Sequence, residues 1–326
     1  DPARAVEATV AAVKALGRRK TEKAPAKRRG KTPEVSVVVP YYNLGRYLPA
    51  TLESIRRQTF ESYEIVVVDD GSTDPDSVAL LETLEAPDLK VVRKRNGGLG
   101  SARNAGIAAA RGRYVLPLDA DDLIAPTFLA RTVEALKAQP DLAYATTFAA
   151  YFDVDPAQPT GGLVPWGLDR DTLPVNNVAS TCTALIPHEL LEELGGYDEW
   201  LTSFEDWDLY CSMAERGMKA AVLPEFLFFY RWRPDSMSNT VVLDRRTELK
   251  TYLMAKHPAL AVDPSRAERM LAIQLAWFQE QLSSAQRWNL KRIVESSGPM
   301  KKVKESIPDT FIDQVRKTVV KLFPVR

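Results

Sequence analysis

The sequence predicts an α/β fold with a mostly parallel central sheet covered by helices on both faces. Two observations carry this. From residue 35 onward, short β-branched or aliphatic runs alternate with longer amphipathic segments. That is the rhythm of right-handed strand–helix–strand crossovers, which lay helices over a parallel sheet. The runs are also apolar throughout instead of alternating with polar residues, as strands buried on both faces are.

Residues 1–32 hold an Ala-rich helical pattern at 2–16 and a basic stretch at 17–31 with Pro25 and Gly30, a solvated linker by composition. Strands are expected at 35–39, 65–69, 89–93 and 114–118, where Val, Ile and Leu lie between Pro, Asp and Gly. Helices are expected between them at 46–58, 75–84 and 99–110. After Asp141 the rhythm loosens into a strand-like run at 143–151, a Pro- and Gly-rich stretch at 155–174 and a further run at 179–186. Helices follow at 189–194 and 204–216, with apolar runs at 220–223 and 226–230. From Arg245 the chain reads as mostly helical, ending in an amphipathic segment at 311–322 with Phe311, Ile312, Val315, Val319 and Leu322 on one face. Three regions result: an N-terminal helix and basic linker (1–32), an α/β domain (33–240) and a C-terminal helical extension (241–326).

At 326 residues the chain can bury a full core, and 45% apolar with 26% charged residues is ordinary for a soluble protein. Lys plus Arg and Asp plus Glu both number 43, so no global field favours nucleic acid as a partner. No run approaches the roughly 20 apolar residues of a spanning helix, and the start lacks the apolar core of a signal peptide. Membrane contact is therefore expected only peripherally, at the inner face, through the basic stretch or the terminal amphipathic helix. Cys182 and Cys211 provide no disulfide framework; as ordinary buried thiols they suit a reducing cytoplasm. The sequence opens at Asp1, which fits a longer chain with flanking domains.

Ligands of a parallel sheet gather beyond the carboxyl ends of its strands. The candidates are therefore Pro40-Tyr41-Tyr42-Asn43, Asp69-Asp70-Gly71-Ser72, Asn96-Gly97-Gly98 and Asp119-Ala120-Asp121-Asp122. Such an edge offers a flat surface for a base, acceptors for base and ribose, close backbone approach to phosphate, and oxygen ligands for a hard cation. The Asp-x-Asp spacing itself decides nothing, because it recurs at Asp74/Asp76, Asp153/Asp155, Asp169/Asp171 and Asp206/Asp208. Only Asp119/Asp121 directly follows an unbroken apolar strand, with no basic residue nearby in sequence, so a metal is expected there. Asp69 and Ser72 are expected to cap a turn and the next helix. In a helix over 204–216, Asp206 shares a face with Leu209, Tyr210 and Met213, while Glu205, Asp208, Ser212 and Arg216 gather on the other. An inward carboxylate is either an ion-paired core residue or a working acid or base. Acidic neighbours would raise its pKa and the helix N-terminus would lower it. Trp166, Trp200, Trp207 and Trp232 are core material first, and platforms for an acceptor sugar second.

The strings SVVVPYYN, VVVDDGSTD, NGGLGSARNAG, YVLPLDADD and GGYDEWLTSFEDWDLYCSMAERG, in that order, resemble the motifs of family two glycosyltransferases with the GT-A fold, a Rossmann-like architecture. The resemblance covers 33 to about 240 and implies an inverting transferase that moves a sugar from a nucleotide diphosphate, UDP foremost, to a glycan or lipid-linked acceptor hydroxyl. Surface or extracellular polysaccharide synthesis would be its setting. It implies that Pro40 and Tyr42 line the base pocket, that Asp70 accepts from base or ribose, and that Asn96, Gly97 and Arg103 lie near the nucleotide and its diphosphate. Manganese or magnesium would sit on Asp121 and Asp119, the latter also within reach of the ribose, and Asp206 would be the general base. The stretch from Tyr230 to Met237 resembles the family's closing loop, with Arg233 where many members carry His; an Arg cannot ligate metal but can neutralise a leaving diphosphate. Two other classes compete. One is a catalytically silent binding module of the same fold; the other is an NAD-dependent oxidoreductase, for which the Gly97-Gly98-Leu99-Gly100 loop speaks and Arg103, at the third small position, speaks against.

Overall fold

The computed structural model describes residues 32–260 except 85 and 175, and of residues 238–244 and 246 the helical backbone alone. The segments expected at 2–16 and 311–322 lie outside the described residues. Strands β1 (Val35–Tyr41), β2 (Tyr63–Asp69), β3 (Leu89–Arg93) and β4 (Tyr114–Pro117) alternate with helices α1 (Leu48–Arg56), α2 (Pro75–Glu82) and α3 (Leu99–Ala109). There follow β5 (Leu123–Ile124), α4 (Phe128–Ala138), β6 (Leu142–Phe152), β7 (Gly161–Leu163), β8 (Ile186–Pro187), α5 (His188–Leu194), α6 (Glu205–Glu215), β9 (Lys219–Arg231) and α7 (Met237–Lys256).

The first sheet has the order β3-β2-β1-β4-β8, parallel except for β8. A second sheet, β5-β9-β6-β7, pairs β6 and β9 in parallel. Every residue of β1, β2 and β4 is buried, as the uniformly apolar runs predict. Because side chains alternate across a strand, Val35, Val37 and Val39 join α1, α4 and the second sheet in one core, while Val38, Val66, Val68 and Val115 join α3, α5 and α6 in another. The buried Ser36 donates to Glu64 Oε1 at 2.7 Å and accepts from Gly112 N at 2.9 Å, so this polar inlay is satisfied. Gly106 lets α3 settle onto the sheet, since a Cβ there would lie 2.2 Å from Val38 Cγ1.

The winding direction switches at β1, which has β2 on one side and β4 on the other. A crevice opens at such a point beyond the strand ends.

Several elements differ from expectation. Helix α4 was not foreseen, although Phe128, Leu129, Thr132, Val133 and Leu136 lie buried at helical spacing. The run at 179–186 contributes only the two-residue β8 to a strand. Three of its carbonyls are taken by side chains, with Tyr144 OH donating to Ala179 O, Thr146 Oγ1 to Thr183 O and Tyr210 OH to Thr181 O, and Leu185 forms an isolated backbone bridge with Ala145. The runs at 220–223 and 226–230 form one strand, β9, accommodated by register shifts opposite Thr147 and Phe148. Helix α7 runs through position 240, and its Leu253 packs in the same core as Trp207 and Tyr210.

Candidate active site

A cavity of about 600 Å³ lies in this crevice. Pro40 and Tyr42 from the end of β1, Asp70 beyond β2 and Asn96 beyond β3 line one part of it. Arg103, Asp119, Asp121, Asp206 and Arg233 line the rest. Of the residues expected to touch donor, metal or acceptor hydroxyl only Gly97 is absent from the lining, where Gly98 takes its place; the strand-end residues Asn43, Asp69, Gly71, Ser72 and Asp122 lie outside it as well.

Asp70 organises the glycine loop. Its Oδ1 accepts from Lys94 Nζ at 2.7 Å and Gly97 N at 3.0 Å, and its Oδ2 accepts from Gly98 N at 2.8 Å. Those amides are thereby committed to a side chain, which removes the pyrophosphate cradle that a dinucleotide reading requires. The helix cap expected of Ser72 belongs to Asp74, whose Oδ2 accepts from Ser77 N at 2.9 Å. Ser72 instead accepts from Asn43 N at 3.1 Å while its own N–H donates to Asp69 Oδ1.

Arg103 is 1% exposed, so it points inward from α3 and is no helix-surface residue. Its Nη2 meets Asp119 Oδ1 at 2.7 Å, its Nη1 pairs with Glu205, and its guanidinium lies 5.3 Å from the centre of the Tyr197 ring. One buried cation thus ties the end of β4 to the start of α6. Arg233 Nε meets Asp121 Oδ2 at 2.7 Å.

The three carboxylates beyond β4 are crowded. Burial, then neighbouring Asp119, pushes the Asp121 carboxyl up; burial, then Asp121 and Asp119, pushes Asp122 well up. Asp122 Oδ1 accepts from Arg231 N at 2.7 Å, whereas its buried Oδ2 has no partner among the described residues. Ligand atoms of Asp119, Asp122 and Cys182 fall within 4.8 Å of one another. Concentrated oxygen ligands whose ionised form is disfavoured, with one lone oxygen, fit a divalent cation.

Helix α6 corrects one expectation. Glu205 and Asp208, placed by periodicity on an outer face, are both buried, and Asp206 is only partly so. The outer face is covered: Arg103 reaches Glu205, and Lys256 and His257 from the end of α7 reach Asp208. Asp206 faces the cavity, its Oδ1 accepting from Trp207 N at 2.8 Å and its Oδ2 from Asn177 Nδ2 at 3.2 Å. Desolvation first, then the Glu205 charge, raise its pKa from 3.8 to about 7, against the lowering pull of Arg103. The contest left open by sequence is won by burial. Phe204, just before this helix, holds a left-handed backbone with φ of 71° and packs edge-on against Trp207.

Sequence reasoning passed over Lys94, Cys182, Asn177 and Glu205 as parts of the site. Cys182 is no bystander, for its thiol donates to Asp119 Oδ2 at 3.3 Å. Only the acidic cluster around Asp206 gave a local signal; the other contacts join segments far apart in the chain. Of the four tryptophans considered as sugar platforms, Trp207 is core, donating Nε1 to Leu173 O, whereas Trp200 and Trp232 are 51% and 41% exposed.

The fold is shared with solved glycosyltransferases. S. aureus TarS in complex with UDP-GlcNAc superposes with a TM-score of 0.57 at 20% identity, over 88% of this chain and 88% of that one. The mannosyltransferase PcManGT from Pyrobaculum calidifontis, in complex with GDP-Man and Mn2+, gives 0.56 at 21% identity, over 100% of this chain and 96% of that one. The architecture is GT-A, that of nucleotide-sugar-dependent glycosyltransferases. Residues 36–195 match the family model described as glycosyl transferase family 2, and the chain belongs to that family of transferases. Chondroitin synthase of Escherichia coli is 29% identical over 210 residues, 61% of this chain and 29% of that protein. Glycosyltransferase GlyG of Streptococcus pneumoniae is 42% identical over 93 residues, 28% of this chain and 31% of that protein. The matches thus span about a third of these curated relatives. Among the described residues no helix is long and apolar enough to cross a membrane.

Proposed function

We propose that the protein transfers a sugar from a nucleotide diphosphate donor, UDP-linked foremost, to a hydroxyl of a glycan or lipid-linked acceptor, with inversion at the anomeric carbon. Its setting would be surface or extracellular polysaccharide synthesis at the cytoplasmic side of a membrane. The observation that carries the reading is Asp206, a carboxylate with a pKa of about 7, in the same cavity as Asp119 and Asp121. A group so poised is partly ionised at neutral pH and basic enough to take a hydroxyl proton.

In this mechanism Pro40 and Tyr42 flank the nucleobase, Asp70 holds the Asn96–Gly98 loop and accepts from base or ribose, and Arg103 fixes Asp119 and Glu205. Asp121 and Asp119, supported by Asp122, would hold manganese or magnesium, which acts as a Lewis acid toward the diphosphate leaving group. Arg233 adds a guanidinium against the same charge. Asp206 receives the proton of the acceptor hydroxyl as its oxygen bonds to the anomeric carbon and the bond to the diphosphate oxygen breaks. Asn177 and the Trp207 amide hold the carboxylate for this attack.

A screen of nucleotide sugars for manganese-dependent nucleotide release tests the reading. Release from a UDP-sugar, faster with an acceptor glycan and abolished by chelation, is expected. Donor binding without transfer or hydrolysis under any acceptor would instead select the silent module.

A further inference from the structure

Arg233 also lines a second cavity, of about 500 Å³, which it shares with Arg46, Tyr47, Arg231 and Trp232. Three guanidiniums surround the Tyr47 ring, with Arg46, Arg231 and Arg233 at 5.6, 5.1 and 5.2 Å from its centroid. Arg233 is held by Asp121 and Asp235. Among the described residues neither Arg46 nor Arg231 has a carboxylate within ion-pairing distance; Arg231 donates to the backbone carbonyls of Asp121 and Asp153 at 2.8 and 3.4 Å. The first turn of α1 borders the recess at Tyr47 and Ala50 with no acidic residue and no capping side chain, so its positive end adds to the field. Asp153 and Asp235 are the carboxylates of the lining, both exposed, and Asp235 already serves Arg233.

Like charges gathered around one ring oppose each other until an anion joins them. The apolar part of the lining narrows which anion. Trp232 and Val154 are 41% and 87% exposed, so an exposed indole lies in the same recess as Arg46, which has no carboxylate partner among the described residues, and Arg231, which feels the Asp121 and Asp122 charges without an ion-pair contact. A sugar ring that carries an acid group satisfies both, its apolar face against the indole and its oxygens on the guanidinium fork. The donor diphosphate is a poorer candidate, because the carboxylates suited to its cation line the first cavity, while Arg46, Tyr47 and Trp232 line only the second.

We propose that this recess binds a carboxylate or phosphate group of the acceptor, away from the reacting hydroxyl, so that the acceptor class is an acidic glycan. The inference rests on the transferase reading of the first cavity. It is tested by titrating the full chain, without donor, with a hexuronate-containing oligosaccharide, with a phosphodiester-linked sugar oligomer, and with the carboxyl-reduced neutral counterpart of the first. We expect at least one acidic ligand to bind about tenfold or more tightly than the neutral one, the preference shrinking at high salt. Arg46→Ala should weaken that ligand about tenfold while leaving stabilisation by UDP-sugar plus manganese unchanged, and Trp232→Ala should weaken the ligand by a similar factor. Binding of all three with equal strength, binding of none, or indifference to Arg46→Ala would overturn the proposal. So would displacement of the acidic glycan by UDP with manganese, which would assign the recess to the donor. Failure of UDP-sugar to stabilise the protein would instead count against the transferase mechanism, and the two failures are read in separate titrations.

Discussion

Replacing Asp206 by Asn separates catalysis from stability at one atom. Lifting the carboxyl from 3.8 to about 7 corresponds to about 4 kcal/mol of differential interaction between its charged and neutral forms. The folded pKa lies above the unfolded one, so the folded state binds more protons and the wild-type protein loses stability as pH rises. The loss is absent below about pH 4, grows between about 4 and 7, and is complete above. An Asn is never charged and escapes it. The amide keeps the contact from the Trp207 amide, but its NH2 meets Asn177 Nδ2, a donor. Asn177 Oδ1 is buried with no partner among the described residues, so a flip of that amide restores a hydrogen bond. Allowing for the charge shared with Glu205 and Arg103, we expect a net gain of ~2 kcal/mol at pH 8, or about 4–8 °C in Tm for a domain of this size. At pH 4 the gain should vanish. Turnover should fall by roughly 10²- to 10⁴-fold with donor affinity retained, and wild-type kcat/KM should climb with pH to a plateau above about 7. Thermal melts at the two pH values with nucleotide-release kinetics measure all of this. Undiminished turnover, or a flat wild-type profile from pH 5.5 to 8, would refute the assignment.

Arg103→Met leaves the buried Glu205 and the half-buried Asp119 without their common cation, and should cost about 3 kcal/mol in urea unfolding. His257 is wedged between Asp208, which Lys256 also pairs, and Glu215, and these hydrogen bonds raise its pKa above 6.5 despite burial. Its contribution is present below about 6.5 and lost as pH rises through the higher folded value; His257→Gln should therefore lower Tm more at pH 6 than at pH 9. Gly106→Val would drive new atoms into Val38 and should cost more than about 1–3 kcal/mol, read as a lower Tm and reduced soluble yield.

The parallel sheet was legible because its strands are buried on both faces and leave a continuous apolar signature with polar residues at each end. The same rule located Pro40, Tyr42, Asp70, Asn96, Asp119 and Asp121, which topology alone brings to one edge. What local pattern could not supply was pairing across long separations. Arg103 and Glu205 are 102 positions apart, so nothing local distinguishes a helix-surface Arg from one that holds two carboxylates. Helical periodicity likewise misjudged Glu205 and Asp208, because it assumes one wet face, whereas α3 and α7 cover what α6 would otherwise expose. The 179–186 segment escaped because its apolar residues resemble a strand, while three of its carbonyls are satisfied by distant hydroxyls.

Phe204 gives the proposed base its aim. A bulky aromatic in left-handed backbone carries roughly 1–3 kcal/mol of strain, and here it stands two residues before Asp206 at the mouth of α6. Glycine would take that conformation freely but would forfeit the ring's packing against Trp207 and the core. Its wedge against Trp207 makes the turn a fixed corner instead of a swivel. Natural variation and directed evolution can be expected to treat this corner differently from the recesses around it: pocket walls can drift to admit new sugars, while a softened corner would loosen the carboxylate's aim at every acceptor alike.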